Sequence, residues 1–209
     1  MKRQAGFTLV EIAIVLVIIG LLLGGVLKGQ ELIESAKVKN IAQDMRAISV
    51  AVLTYQDKYR ALPGDDRNAP TRWAGACIPP AATAGNGLID GADWNAVGAT
   101  EPACVWDHLR RANLLTGDPR AGNPTHADAG TFGVVSSNAN AAVNDTPGTL
   151  IVCADNIRGR HVVPLDAMLD DGQVGTGSMR SRLGPSGTPA AAQSAPINEG
   201  ASYEVCMGF

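Results

Sequence analysis

The chain is poor in aromatic and charged residues. Phe, Trp and Tyr together make up 4% of its 209 residues, whereas Gly and Pro number 24 and 12. This composition is typical of many loops and short strands and argues against a large packed β-sandwich. The formal net charge is only −3 at pH 7. The overall charge balance therefore gives no electrostatic reason to expect binding to nucleic acid.

The chain also lacks the short motifs of common catalytic sites. It contains no G-x-G-x-x-G and no G-x-x-x-x-G-K-S/T segment, so nucleotide chemistry is unsupported. It contains no G-x-S-x-G, and no serine has the strand-to-helix context of a nucleophile. His108 beside Asp107 is the only hint of a hydrolase, and a packing or capping role for His108 is favoured. The sequence therefore predicts that the protein is not an enzyme.

A long apolar run dominates the amino-terminal part of the chain. Lys2 and Arg3 precede it, and Glu11 is the only charged residue from Phe7 to Leu27. About 20 such residues form a helix long enough to cross a bilayer. Placing a carboxylate in lipid costs on the order of a few kcal/mol of free energy unless it has a partner. Nothing else in the segment is expected to be that partner. Either Glu11 has no compensating role, or it meets a positive group from another chain.

At the start of the chain, basic residues are followed by Gly6-Phe7-Thr8-Leu9-Val10-Glu11 and then by a predicted apolar helix. The order of these parts resembles the class III signal of type IV pilins and type II secretion pseudopilins. The resemblance implies cleavage after Gly6 by a prepilin peptidase, which also methylates the new amino terminus at Phe7. It further implies an assembly role for Phe7 and Glu11, because in that family the glutamate is held to neutralise the terminal amine of the neighbouring subunit. The alternatives are an ordinary membrane anchor with a chance glutamate and an ordinary secretory signal. Only Gly24-Gly25 weakly imitates the cleavage site of such a signal.

The helix is expected to continue beyond the apolar run. We divide the chain into a leader peptide (1–6), a transmembrane or filament-core helix (7–27), the amphipathic half of the same helix (28–60) and a globular head (61–209). The amphipathic half has apolar residues at steps of three and four, and Leu62-Pro63-Gly64 is expected to end it. These apolar positions are Ile41, Met45, Ile48, Val52, Tyr55 and Tyr59.

The head is predicted to contain few regular elements. We expect a short helix over 105–117, strands over 131–136, 149–154 and 203–207, and a helical turn over 164–170 that begins at Pro164. Residues 172–200 are expected to form an exposed loop. The resemblance to pilin-like proteins extends to Leu-Pro-Gly-Asp at 62–65, Trp-x-His-Leu-x-x-Ala-x-Leu at 106–114 and Leu-Asp-x-x-Leu-Asp-Asp-Gly at 165–172. The predicted fold class is α+β and pilin-like, with one very long amino-terminal helix packed on a small antiparallel sheet.

All four cysteines lie beyond the apolar run. The positive leader should stay in the cytoplasm, which places the head in an oxidising compartment where an even number of cysteines indicates disulfides. Three connectivities are possible, and sequence order favours Cys77–Cys104 and Cys153–Cys206 because each then closes a loop within one region. Zinc is not expected, because no C-x-x-C pair occurs and His108, His126 and His161 are scattered.

One glycine-rich loop is a candidate calcium site. Asn86, Asp90 and Asp93 supply the oxygen ligands that calcium prefers, but not at the spacing of an EF-hand. The alternative, turn formation by Asn, Asp and Gly, is favoured. Asp65, Asp66, Asp170 and Asp171 are further acidic turn residues with the same ambiguity. No other cofactor is expected.

The sequence thus predicts a structural subunit of a type IV pilus-like filament. Its expected partners are identical and related pilin subunits, the prepilin peptidase and methyltransferase, and an inner-membrane assembly platform. The head would be periplasmic before assembly and part of a surface filament afterwards. The alternatives are a type II secretion pseudopilin, or a minor pilin acting in adhesion or DNA uptake. Contact with DNA through Arg110, Arg111 and Arg120 is not expected.

Overall fold

The computed structural model describes residues 8–91, 93–139, 143, 145–184 and 196–209. Its contacts divide the chain into two compact units, Met1–Lys37 and Val38–Phe209. One long helix contributes to both units, as predicted. The helices are α1 (Leu9–Tyr59), α2 (Ala69–Arg72), α3 (Glu101–Arg111) and α4 (Gly159–Leu169), and the strands are β1 (Phe132–Ser136), β2 (Leu150–Arg158), β3 (Met179–Leu183) and β4 (Ser202–Gly208).

The first unit contributes the apolar part of α1. Every residue from 8 to 28 is exposed, because the described residues of this unit form a single helix with nothing among them to pack against it. This helix is long and apolar enough to cross a membrane, which is consistent with membrane anchoring before assembly.

The second unit begins with the rest of α1, and the predicted apolar stripe faces its core. Ile41, Met45, Val52 and Tyr55 are fully buried. The helix ends at Tyr59, because Arg60 adopts a left-handed conformation (φ 56°) just before the predicted Leu62-Pro63-Gly64 stop. The predicted apolar stripe therefore lies in the core, and the buried part of the helix begins at Val38.

The sheet is antiparallel, with strand order β1-β2-β4-β3. Alternate residues of each strand point to opposite faces. One face, with Val134, Val152 and Val205, joins the main core that also holds the α1 stripe. The other face carries a smaller cluster around Trp94. Gly133 makes room for this indole, because a Cβ there would lie 2.1 Å from Cε3 of Trp94.

The three predicted strands are present as β1, β2 and β4, but residues 172–200 are not simply a loop. Residues 179–183 form β3, which pairs with β4 and lies at the edge of the sheet. The sequence pattern does not indicate this strand, because the charged residues Arg180 and Arg182 lie within it. Arg182 is nevertheless buried, and its guanidinium lies beside Glu204 and Asp145. Residues 185–195 of the predicted loop lie outside the described residues.

Two predicted helices have different bounds in the structure. The helix expected over 105–117 begins at Glu101, because the Thr100 side chain caps it, and it ends at Arg111, with Asn113 left-handed (φ 58°). The turn expected to begin at Pro164 is instead a helix from Gly159, with the proline inside it. Its first turn is held from outside the helix, since the Gly159 N–H donates to the Ala201 carbonyl and His161 Nδ1 lies 2.6 Å from Asp128 Oδ2.

Candidate assembly site

Glu11 lies in the first turn of α1 and is held there by Thr8. The Thr8 hydroxyl and the Thr8 backbone N–H both donate to Glu11 Oε2, at 2.7 and 2.8 Å. The Glu11 N–H lies 3.3 Å from Thr8 Oγ1 and donates in return. This reciprocal arrangement is a capping box, which satisfies free backbone groups at the start of a helix.

The expectation that nothing else in the segment can partner Glu11 is therefore wrong for hydrogen bonding. Thr8 was missed although the Thr-x-x-Glu spacing is a recognised sign of a helix start. Thr8 carries no charge, however, and no described residue forms an ion pair with Glu11. Among the described residues Oε1 of Glu11 accepts no hydrogen bond, so this oxygen is available to another group.

The predicted processing residues, Gly6 and Phe7, lie outside the described residues. Cleavage after Gly6, methylation of Phe7 and pairing of its amine with Glu11 stay predictions. What the structure adds is the surface that follows them. Leu9, Leu21 and Leu27 are 91%, 73% and 68% exposed, with uncharged side chains throughout the stretch between Glu11 and Lys28. The stretch 8–27 thus combines one carboxylate, that of Glu11, with a long apolar surface that no other described residue of the first unit covers.

The Leu-Pro-Gly-Asp turn is joined to the Trp-x-His-Leu segment by a hydrogen bond inside the head. The Gly64 N–H donates to Nδ1 of His108 (2.9 Å), and Nε2 of His108 lies 3.0 Å from the Cys77 carbonyl. These contacts require a neutral imidazole that carries its proton on Nε2. Burial lowers the pKa of His108, while the hydrogen bond to Cys77 and the charge of Asp107 partly oppose that shift. The prediction of a packing role for His108 is confirmed.

Glycine is required at position 64. Its φ is +91°, and a Cβ there would lie 2.4 Å from the Glu101 carbonyl oxygen. The next two residues hold other loops: the Asp65 carboxylate accepts hydrogen bonds from the Gly85 and Gly87 N–H groups, and Asp66 accepts from the Tyr55 hydroxyl. The oxygens of these acidic turn residues are thus engaged by donors from the chain itself.

At the predicted calcium site the structure brings two of the three residues together. The Asn86 amide donates to Asp90 Oδ2 (2.6 Å), and its oxygen accepts from the Leu88 N–H. Asp93 instead accepts a 3.3 Å hydrogen bond from the Asn95 N–H. No hydrogen bond between described residues joins Asp93 to the other two. These are the contacts of turns, and calcium binding here stays a prediction.

The disulfides follow the pairing that sequence order favours. Cys77 is bonded to Cys104 of α3, and Cys153 is bonded to Cys206, its directly opposed neighbour on the adjacent strand. The first disulfide therefore fixes a loop to a helix, whereas the second links β2 to β4 beneath the smaller apolar cluster.

Two of the three arginines considered for DNA contact are engaged within the head. Arg110 donates to the Ala121 and Gly122 carbonyls, and Arg111 Nε lies 2.9 Å from an Asp107 carboxylate oxygen. Such pairing leaves little of their hydrogen-bonding capacity for phosphate groups.

Residues 1–27 match the family model of the prokaryotic N-terminal methylation motif. This motif is the class III signal of type IV pilins and pseudopilins, and the match includes Gly6, Phe7 and Glu11. The long amino-terminal helix, the small antiparallel sheet and the two disulfides are consistent with the pilin fold. No match to the chain was found among curated proteins or among solved structures.

Proposed function

We propose that the chain is a structural subunit of a type IV pilus-like filament, cleaved after Gly6 and polymerised through α1. The observation that carries this proposal is the position of Glu11. It is the only charged residue of the exposed apolar stretch 8–27, and it lies inside the methylation motif. A single isolated subunit in a membrane leaves that charge without a counter-charge, at a cost of on the order of a few kcal/mol.

Assembly removes this cost. Cleavage after Gly6 creates a positively charged amine at Phe7, and a neighbouring subunit brings its amine to Glu11. Thr8 donates two hydrogen bonds to Oε2 and leaves Oε1 to accept the amine. Once the charge is paired, the exposed apolar side chains of residues 12–27 pack against the same surface of other subunits. The ATP-driven step belongs to the assembly platform.

The disulfides of the head support the proposal that the filament extends from the oxidising side of the membrane. Both disulfides lie in the second unit, and all four cysteines are used. Disulfides form and persist in oxidising environments, which include the periplasm and the cell surface. The same processing signal would serve a secretion pseudopilus or a minor pilin in adhesion or DNA uptake.

The test is mass spectrometry of fibres sheared from cells. We expect this chain as the main species, beginning at methylated Phe7 and lighter than the reduced form by two hydrogens for each disulfide. Recovery of the processed chain only from the membrane fraction would contradict a major pilin and support the pseudopilin or minor-pilin role. An uncut Met1 terminus in both fractions would overturn the filament proposal altogether.

A further inference from the structure

Three aspartates converge at the carboxyl end of α4. Asp166 lies on the last turn of the helix, and Asp170 and Asp171 follow directly after it. One carboxylate oxygen from each residue lies within 4.8 Å of the other two. The carboxyl end of a helix carries a partial negative charge, which disfavours further anions there. Three carboxylates at this position are therefore electrostatically disfavoured unless a positive group compensates them.

Asp166 is the unusual member of the three. Its side chain is fully buried, and neither carboxylate oxygen accepts a hydrogen bond from a described residue. Buried polar groups are almost always hydrogen-bonded, and a buried ionised group requires a partner. The Gly172 N–H and the Asp171 carboxyl group approach the Asp166 carboxylate, but neither forms a hydrogen bond of normal geometry with it. The carboxylate therefore faces the cluster with no hydrogen bond from a described residue.

The other two aspartates are held in place by the following turn. Asp170 Oδ2 accepts hydrogen bonds from the Ser178 and Met179 N–H groups, at 2.5 and 2.9 Å. Asp171 accepts one from the Gln173 N–H (2.8 Å) and one from the Thr176 hydroxyl (2.7 Å). These bonds fix the carboxylates before any ligand arrives, which lowers the cost of binding.

Basic side chains near this turn do not neutralise the cluster. Arg46 donates to the Met168 carbonyl, and Arg180 donates to the carbonyls of Thr176, Gly177 and Met179. Among the described residues no ion pair joins Asp166, Asp170 or Asp171 to a cation.

We propose that Asp166, Asp170 and Asp171 bind a divalent cation of the hard, oxygen-liganded class, with calcium as the expected ion. Calcium accepts carboxylate ligands in irregular geometry and completes its shell of six to eight oxygens with carbonyls and water, whereas magnesium requires near-ideal octahedral geometry. The ion joins the end of α4 to the turn that leads into β3. This site is distinct from the Asn86–Asp90–Asp93 candidate and does not rest on the filament proposal.

The test uses the processed full chain in detergent, stripped with EDTA and titrated with calcium chloride. Isothermal titration calorimetry is expected to show one site per chain. The thermal unfolding midpoint is expected to rise by about 5–10 °C at a hundredfold excess of calcium over its Kd, and magnesium is expected to produce a smaller rise. Absence of both heat and thermal shift up to about 10 mM calcium, roughly tenfold above the Kd of weak extracellular calcium sites, overturns the proposal.

The decisive variant is Asp166→Asn. It keeps the shape of the side chain and removes a buried, unpaired charge, so in EDTA it should unfold at a higher temperature than the wild type. In calcium the unfolding midpoint of Asp166→Asn should not rise further. A variant that merely failed to fold could not show this combination of a higher midpoint in EDTA and no calcium shift. A calcium shift that survives in Asp166→Asn overturns the proposal. Asp171→Asn, at an exposed ligand, is expected to weaken calcium binding at least about tenfold, as loss of one charged ligand should.

Asp93→Asn is the matched control, because it removes an acidic residue of the other candidate loop. It should leave the calcium shift unchanged. If Asp93→Asn abolishes the shift while Asp166→Asn retains it, calcium binds at the glycine-rich loop and the site proposed at α4 is wrong.

Discussion

At the residue scale, His108 connects parts of the head that are far apart in the sequence. It receives a hydrogen bond from the Leu-Pro-Gly-Asp turn and lies against the carbonyl of Cys77, the first residue of a disulfide. Both contacts depend on the neutral ring, because a protonated Nδ1 cannot accept the Gly64 N–H. The protonation state of one buried side chain therefore affects how α1, α3 and the first disulfide loop are held together.

This dependence predicts that the head loses stability in mild acid. The pKa of His108 is lowered by burial from its usual value of 6.5. Its contribution to the free energy of unfolding is therefore complete above about pH 6.5 and is lost as pH falls through the lowered pKa. Urea unfolding of the wild type between pH 8 and pH 5 should show this loss. His108→Gln should be less stable near pH 8 by roughly 1–3 kcal/mol, the cost of disturbing a buried hydrogen bond, and its profile should be flatter.

His126 provides the comparison for this experiment. Burial also lowers its pKa, so His126→Gln should remove a separate part of the acid sensitivity, and His108→Gln alone should leave a residual slope. Parallel profiles for the wild type and His108→Gln would show that protonation of His108 does not control acid stability.

At the element scale, the stability of the head depends on one stripe of α1. Ile41→Ala removes a fully buried side chain and should lower the free energy of unfolding by about 2–4 kcal/mol. Val50→Ala removes a side chain that is 63% exposed on the same helix and should change it by about 0.5 kcal/mol or less. Urea unfolding in detergent compares the two variants. Equal losses would mean that helix propensity, rather than burial of the stripe, determines the stability of this segment.

The elements that the sequence predicted are those with a local signal. The α1 stripe repeats every three to four residues, and the 149–154 run is largely apolar. The burial of each segment can therefore be predicted from its own sequence pattern. Strand β3 gives no such signal, because its buried Arg182 is paired with Glu204, Asp145 and Thr146, which come from other parts of the chain. The early start of α4 likewise depends on Asp128 and Ala201, which no local pattern around Gly159 indicates.

The candidate sites divide in the same way. Glu11 was found from the sequence because a lone charge in an apolar run is conspicuous, and its Thr8 partner could have been found from the capping-box spacing. Asp170 and Asp171 were noted as acidic residues with the same ambiguity between calcium binding and turn formation. Their relation to Asp166 could not be predicted, because it depends on how deeply the end of α4 is buried in the head. Burial set by tertiary packing is what the sequence alone does not report.

At the scale of the whole molecule, the two units differ in whether their apolar side chains are buried. Val38–Phe209 contains its own apolar core, whereas the apolar side chains from Leu9 to Leu27 are exposed. In the proposed function, lipid would cover that surface before assembly, and other copies of the same helix would cover it in the filament. The hydrocarbon region of a bilayer offers no charge for Glu11, whereas a neighbouring amino terminus in the proposed filament would. The apolar surface is therefore compatible with both environments, and the carboxylate of Glu11 is expected to favour the filament.

This difference predicts that charge and hydrogen bonding at the start of α1 have separable roles. Glu11→Gln keeps the size of the side chain and removes the charge. The amount of surface filaments should fall roughly tenfold or more, because the variant loses the charge pairing between subunits, which in the wild type offsets a cost of several kcal/mol for a carboxylate in an apolar environment. Thr8→Val removes the hydroxyl contacts with Glu11 but retains the charge, and most filaments should remain. Immunoblots of sheared fibres give the amounts, with total cellular subunit as the reference and urea unfolding as the check that the head is intact. Wild-type fibre yield from Glu11→Gln would show that the charge is dispensable, and an equal loss from Thr8→Val would show that assembly depends on the helix cap instead.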